Sequence, residues 1–264
     1  MLTPIPIPRI PAPSVEQFYS SYVSANQPVV ITGLADAWPA MKNWDLSYFS
    51  NKFGQVKAST IPIKDGRCYA DTETGVDIKS VPIQQSIELI ESGETYDSRA
   101  ITSPIDVFPL SFQEDYITPL YCANGTYLNS RIWISPKGTV TPLHQDLPEN
   151  LYVLVKGEKK IILFPPSAPV YCHSRFSKIP NMAKVDPEAP DYMMYPRFNE
   201  AQPYITQLKA GETLYIPGLW WHHLSNSESS IAINFWWSQG WKTALSWAAR
   251  QYKKIRNVGN GDSD

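Results

Sequence analysis

The chain has 264 residues, a formal net charge of −2, a hydrophobic share of 43% and a charged share of 18%. That is apolar enough for a real core and too weakly charged for a disordered chain, and it supplies no basic field for nucleic acid. The apolar runs are short and interrupted, so no membrane span is expected, and the N-terminus lacks the basic start and apolar run of a secretion signal. Cys68, Cys122 and Cys172 stand far apart without CxxC spacing, which predicts a reduced, cytoplasmic protein with neither disulfides nor a thiolate zinc site. There are 24 prolines, nearly double the average share of about 5%, so short strands and turns are expected over long helices.

The opening PIPIPRIPAP predicts an extended, polyproline-like segment. Ser14 is placed to cap a short helix over 15–24, with Phe18 and Tyr22 four residues apart on one face. Pro28 to Gly33 reads as a buried strand. Trp44, Tyr48, Phe49 and Phe53 recur at helical spacings up to Gly54, and are expected to pack in the core. Residues 55–82 read as strands with turns, with a hairpin signal at Lys64-Asp65-Gly66. A second helix is predicted over 83–92, stopped by Gly93, followed by an irregular stretch over 97–129. From Ser130 the pattern becomes β, with strands near 130–135, 139–146, 151–155, 159–164, 204–208, 213–217 and 230–237. A long proline-rich insertion spans 165–203, the kind of loop that carries function. A last helix over 242–256 bears an apolar stripe of Trp241, Leu245, Ala248, Tyr252 and Ile255. The stripe fits either the chain's own barrel or a second copy, which would make a homodimer. Residues 1–264 are read as one domain, with a helical and mixed part (1–129), a β core (130–240) and a closing helix (241–256).

The stretch from Thr139 to Asp146 is the most informative. On a strand, residues two apart share a face, so His144 and Asp146 project together. They offer two legs of a two-histidine, one-carboxylate triad, a geometry that suits non-haem Fe(II) and leaves positions open. The third ligand must come from His173, His222 or His223, since the chain has only 4 histidines. His173 lies in the insertion without strand context. His222 and His223 follow a glycine turn and an apolar strand, as a barrel needs to aim a ligand inward. Adjacent residues on an extended chain face opposite ways, so only one of the pair is expected to bind metal. The segment from Leu151 to Phe164 reads as a hairpin. Lys159 and Lys160 point to opposite faces there, so one can enter the barrel, where it would need an anion.

Several stretches in order carry a family resemblance: Gln27 to Leu34 with Trp38-Pro39, Trp133 to Asp146, Leu214 to His223, and Ile233 to Trp236. Over most of its length the chain resembles the cupin-like JmjC Fe(II)- and 2-oxoglutarate-dependent hydroxylases, in particular the small JmjC-only protein hydroxylases and the factor-inhibiting-HIF type. The resemblance implies a mainly β double-stranded β-helix (jelly roll) with flanking helices, and a side-chain hydroxylation that converts 2-oxoglutarate to succinate. It implies His144, Asp146 and His222 as iron ligands, with His223, Trp236 and Trp133 beside them. Lys159 and Thr141 match the partners of the distal carboxylate of 2-oxoglutarate, and Asn150 and Asn234 match asparagines near it. The family's tyrosine at that carboxylate is missing: Arg99 aligns there, with Tyr96 close but off register, so either Arg99 substitutes as a carboxylate partner or the cosubstrate pocket differs. The expected substrate is a protein or peptide, with no membrane, and the acidic balance argues against a nucleic-acid partner. The chain shows no reader or zinc module, so hydroxylation is expected over demethylation. Two other classes remain open: a metal-dependent cupin enzyme that does not use 2-oxoglutarate, and a non-catalytic peptide-binding module.

Overall fold

A computed structural model describes residues 2–93, 98–123, 125–240 and 243–244. The opening segment is extended but not free. Its two short strands, β1 (Ile5–Pro6) and β2 (Arg9–Pro11), each add in parallel to a sheet edge. Ser14 caps α1 (Val15–Phe18), its hydroxyl accepting from the Gln17 N–H at 3.1 Å. The chain then widens into a π-helical turn, Tyr19–Val23, and enters β3 (Val29–Thr32). The helical spacing around Trp44 hides a break: α2 (Ala40–Asn43) ends at Trp44, and α3 (Leu46–Phe53) restarts with Asp45 as its cap. β4 (Lys57–Lys64) and β5 (Arg67–Cys68) form the expected hairpin. Its turn residues Asp65 and Gly66 both have positive φ, as a type I′ turn requires. β6 (Lys79–Pro82) leads into α4 (Ile83–Ser92), which ends at Gly93 with φ 68°.

Two expectations need correction here. The stretch expected to be irregular contains β7 (Arg99–Pro104), and β8 (Thr126–Ser135) begins within it. β7 is buried on both faces, so it carries no alternation to read. The core continues with β9 (Val140–Gln145), β10 (Glu149–Lys156), β11 (Glu158–Phe164), β12 (Tyr204–Lys209) and β13 (Thr213–Ile216). β14 (Trp221–Asn226) was not expected as a strand, and β15 (Ser230–Ser238) closes the series. The predicted final helix lies outside the described residues except for 243–244, so its stripe and the homodimer built on it are not placed. Among the described residues no helix is long and apolar enough to cross a membrane.

The strands form a jelly roll. One sheet runs β1-β12-β11-β14-β9-β5 and the other β7-β8-β15-β10-β13-β3-β2, with β4 pairing both β5 and β7. Between the sheets Leu154, Leu163, Leu214 and Ala232 make an aliphatic core. Outside the second sheet lies a larger aromatic layer that includes Phe18, Trp44, Phe53 and Phe112. The insertion covers the outer face of the first sheet, where Val185 and Phe198 pack with Leu143, Phe164 and Trp221.

Candidate active site

β9 and β14 are antiparallel neighbours, and His144 stands directly across from His222. Opposed residues project to the same face, and the two ring centroids are 4.0 Å apart. Asp146 lies just past the end of β9, with its Oδ2 3.7 Å from His222 Nε2. One ligand atom from each of His144, Asp146 and His222 lies within 4.8 Å of the other two. A small convergence of these side chains brings all three to one divalent ion with bonds of about 2 Å.

Both rings are fixed in the same way. His144 Nδ1 meets the Pro142 carbonyl at 2.8 Å, and His222 Nδ1 meets the Trp220 carbonyl at 2.9 Å. A carbonyl only accepts, so each Nδ1 carries the proton and each Nε2 presents a lone pair. Burial, and then the neighbouring His144, lowers the proton affinity of His222, which favours the neutral ring that a metal ion would need. His223 faces the other way and is fully buried under the insertion, with Nε2 3.1 Å from Glu188 Oε2. Glu188 also accepts from Lys160 at 2.7 Å, and Asp186 pairs with Arg67. The insertion is therefore pinned to β5, β11 and β14. It also adds to the edge of β9: the Ala183 N–H donates to Leu143 O at 2.8 Å, and the Gln145 N–H to Asn181 O at 3.0 Å.

The triad opens on a cavity of about 180 Å³, below the roughly 300–1,000 Å³ of drug-sized pockets and suited to a small molecule. Thr141, Asn150, Lys159, Asn234, Trp133 and Trp236 all line it. The Trp133 indole N–H donates to Asn234 Oδ1 at 2.9 Å, and Asn234 Nδ2 donates to Asn150 Oδ1 at 3.1 Å. This chain fixes three polar side chains across β8, β15 and β10. Lys159 is the lysine that enters: it is 4% exposed, whereas Lys160 reaches outward to Glu188. Among the described residues the Lys159 ammonium has one hydrogen-bond partner, Asn226 Oδ1 at 3.3 Å. Burial draws it down from its ordinary 10.5 to about 8.

Arg99 is not brought to this cavity. Its strand pairs with β4, and its guanidinium lies along that neighbour. Nε donates to Thr60 Oγ1 at 2.8 Å, Nη2 to Thr60 O at 3.1 Å and to Asp77 O, and Nη1 pairs with Asp77 Oδ2 at 3.1 Å. Its donors are thus engaged away from the triad, and Tyr96 lies outside the described residues. Two groups that sequence reasoning missed stand at the lysine end instead. Tyr152 lines the cavity, and its hydroxyl makes no hydrogen bond to the described residues. Its signal was available, because it lies two residues beyond Asn150 on the same strand face. Cys68 arrives on β5. Burial pushes its thiol up to about 11, while Thr141 and the Lys159 charge pull against that rise.

Residues 15–242 match the model of the cupin-like domain family. The chain belongs to this family, in its JmjC branch. It is 31% identical to lysine-specific demethylase 8 of Xenopus tropicalis over 237 residues, covering 88% of this chain and 53% of that protein. The zebrafish (Danio rerio) protein of the same name is also 31% identical, over 242 residues, covering 88% of this chain and 58% of that protein. Bifunctional peptidase and (3S)-lysyl hydroxylase JMJD7 of Homo sapiens is 28% identical over 283 residues, covering 94% of this chain and 89% of that protein. The chain thus spans little more than half the length of the two demethylase-named relatives and most of the human hydroxylase-named one.

Proposed function

We propose that the protein is an Fe(II)- and 2-oxoglutarate-dependent dioxygenase that hydroxylates a side chain of a protein or peptide. One observation carries the reading: the His144, Asp146 and His222 cluster shares its cavity with a buried lysine that lacks a carboxylate partner among the described residues. A buried ammonium is costly without a counter-charge. The distal carboxylate of 2-oxoglutarate would meet Lys159 and the Thr141 hydroxyl, and its 2-oxo acid end would meet the ion. When bound, iron and cosubstrate supply the oxidation: one oxygen atom of O₂ enters a substrate C–H bond, and the other goes to succinate as CO₂ leaves. The chain's own residues do the rest. The carbonyls of Pro142 and Trp220 fix the orientation of the two imidazoles through Nδ1 and leave each Nε2 turned to the cluster. The Trp133–Asn234–Asn150 chain keeps the cavity wall fixed beside them.

The relatives' names support a protein-borne side chain, since one is named a lysyl hydroxylase and the others lysine-specific demethylases. Cys68, Cys122 and Cys172 are free thiols, which fits a reducing compartment such as the cytoplasm. Anaerobic titration of Fe(II) and 2-oxoglutarate tests the reading. A visible charge-transfer band is expected in the wild type, weakened in Lys159→Ala and retained in Arg99→Ala. Iron binding without any such band would overturn it.

A further inference from the structure

The turn between β13 and β14 contains Leu219 with φ 71°, a left-handed conformation that a residue with a Cβ avoids. Neighbours hold it there. The Leu219 N–H donates to the Asp146 carbonyl at 2.6 Å, and the Gly218 N–H donates to Glu149 Oε2 at 2.8 Å. The next carbonyl, of Trp220, is the one that accepts from His222 Nδ1. The backbone that aims His222 is therefore tied at two points to the turn that follows Asp146. Strain held by surrounding bonds next to a ligand-bearing strand points to a positional demand.

Glu149 opens β10 and is 2% exposed, and the same Oε2 also accepts from the Tyr215 hydroxyl at 2.8 Å. It points into the aromatic layer. The other residues on that strand face, Leu151, Val153 and Val155, are all apolar members of that layer. A side chain serving packing alone would be apolar there too, since burying a carboxylate is costly unless it is used. We propose that Glu149 is a positioning residue for the metal site. Its carboxylate staples the turn before His222 to the turn after Asp146 and so sets the spacing of the ligands. The proposal rests on the reading that His144, Asp146 and His222 hold a divalent ion, and it assigns Glu149 no contact with that ion.

The test is titration of the metal-free full chain with Co(II), read by its d–d absorption bands, with folding followed by circular dichroism. Glu149→Leu is expected to weaken Co(II) binding by about 10–100-fold and to alter the band shape. Glu149→Gln should bind like the wild type, because one amide oxygen can accept both hydrogen bonds. Tyr215→Phe should also bind like the wild type, since it removes the phenol partner and leaves the Gly218 staple in place. Wild-type affinity in folded Glu149→Leu overturns the proposal, as does an equal loss in Tyr215→Phe, which would mean that the aromatic layer and not the staple is at work. Should Glu149→Leu fail to fold, Glu149→Asp takes its place. Its carboxylate is one methylene shorter and falls short of the Gly218 N–H, so the staple is lost, and wild-type binding by it overturns the proposal. Wild-type protein that binds Co(II) no better than His222→Ala would sink the metal reading itself, a result distinct from any pattern among the Glu149 variants.

Discussion

Along β10, Leu151, Val153 and Val155 turn toward the aromatic layer, while Asn150 and Tyr152 turn toward the cavity. On the outer side the rings fit against one another: Trp44 stacks on Phe112 at 5.3 Å and 12°, and Phe108 stacks on Phe112 at 4.3 Å. Polar atoms on that side are mostly paired, the Trp44 indole N–H and the Tyr48 hydroxyl both donating to Asp115 Oδ2, while the buried Trp237 indole N–H finds no partner among the described residues. Among the described residues, the inner side keeps donors in hand: the Tyr152 hydroxyl, the Trp236 indole N–H and the under-partnered Lys159 ammonium. Each such buried group costs stability unless it finds a partner. One strand thus separates a face of close aromatic packing from a face where several donors converge on one cavity, and such a cluster of spare donors is what a bound anion would satisfy.

If that division is right, substitutions on the two faces should fail in opposite ways. Asp146→Ala should all but abolish binding of Fe(II) or Co(II), because it removes the only carboxylate of the triad. It should barely move the melting temperature of the metal-free protein, since the side chain is 28% exposed. Phe112→Ala, at a fully buried ring, should cost about 3–5 kcal/mol while the folded fraction keeps its metal affinity. Parallel urea melts and Co(II) titrations measure both. Metal loss in a folded Phe112→Ala protein would erase the boundary between the faces.

Lys159 sharpens the same contrast through pH. An unfolded lysine titrates near 10.4, and the folded Lys159 near 8. Between those values the unfolded chain binds the proton and the folded chain does not, so stability rises with pH across the window. Below about 8 both states are charged, and the full penalty of burying the ammonium persists. Lys159→Met should therefore be more stable than the wild type at pH 7, by about 3 kcal/mol at most. Its advantage should shrink as pH climbs from 8 toward 10.5. The same variant should lose at least about 30-fold in 2-oxoglutarate affinity. Urea melts at pH 7, 8, 9 and 10 with calorimetric binding at pH 7 test both halves. A variant less stable than wild type at every pH would mean that the lysine holds the fold.

The convergence of His144, Asp146 and His222 was legible because strand geometry is local. His144 and Asp146 stand two apart in one extended segment, and the adjacency of His222 and His223 forced a choice between opposite faces, which the structure resolves with His222 inward and His223 under the insertion. The β4–β5 turn and the Gly93 stop were legible for the same reason. What failed depends on pairing across the chain. β7 and β14 are buried almost throughout and show no alternation. Arg99 aligns with a cosubstrate position, yet its direction is set by β4, where Thr60 and Asp77 capture it. Cys68 reaches the lysine end only because a hairpin carries a two-residue strand beside β9.

Tyr152 tests the division with the smallest expected change. Its ring is 6% exposed, and burial raises its phenol far above the ordinary range, so it is a neutral donor. Since the hydroxyl has no partner among the described residues, Tyr152→Phe leaves nothing orphaned. Stability should stay within about 0.5 kcal/mol of wild type or rise slightly. In the 2-oxoglutarate complex the hydroxyl would be one donor to a charged acceptor, worth about 1.5–3 kcal/mol, so affinity should fall about ten-fold or more. Arg99→Ala should do the reverse, losing stability through its abandoned partners Thr60 and Asp77 while binding 2-oxoglutarate like the wild type. If Tyr152→Phe costs stability but not affinity, the inner face is held together by the same rules as the outer one, and its spare donors serve the fold and not a ligand.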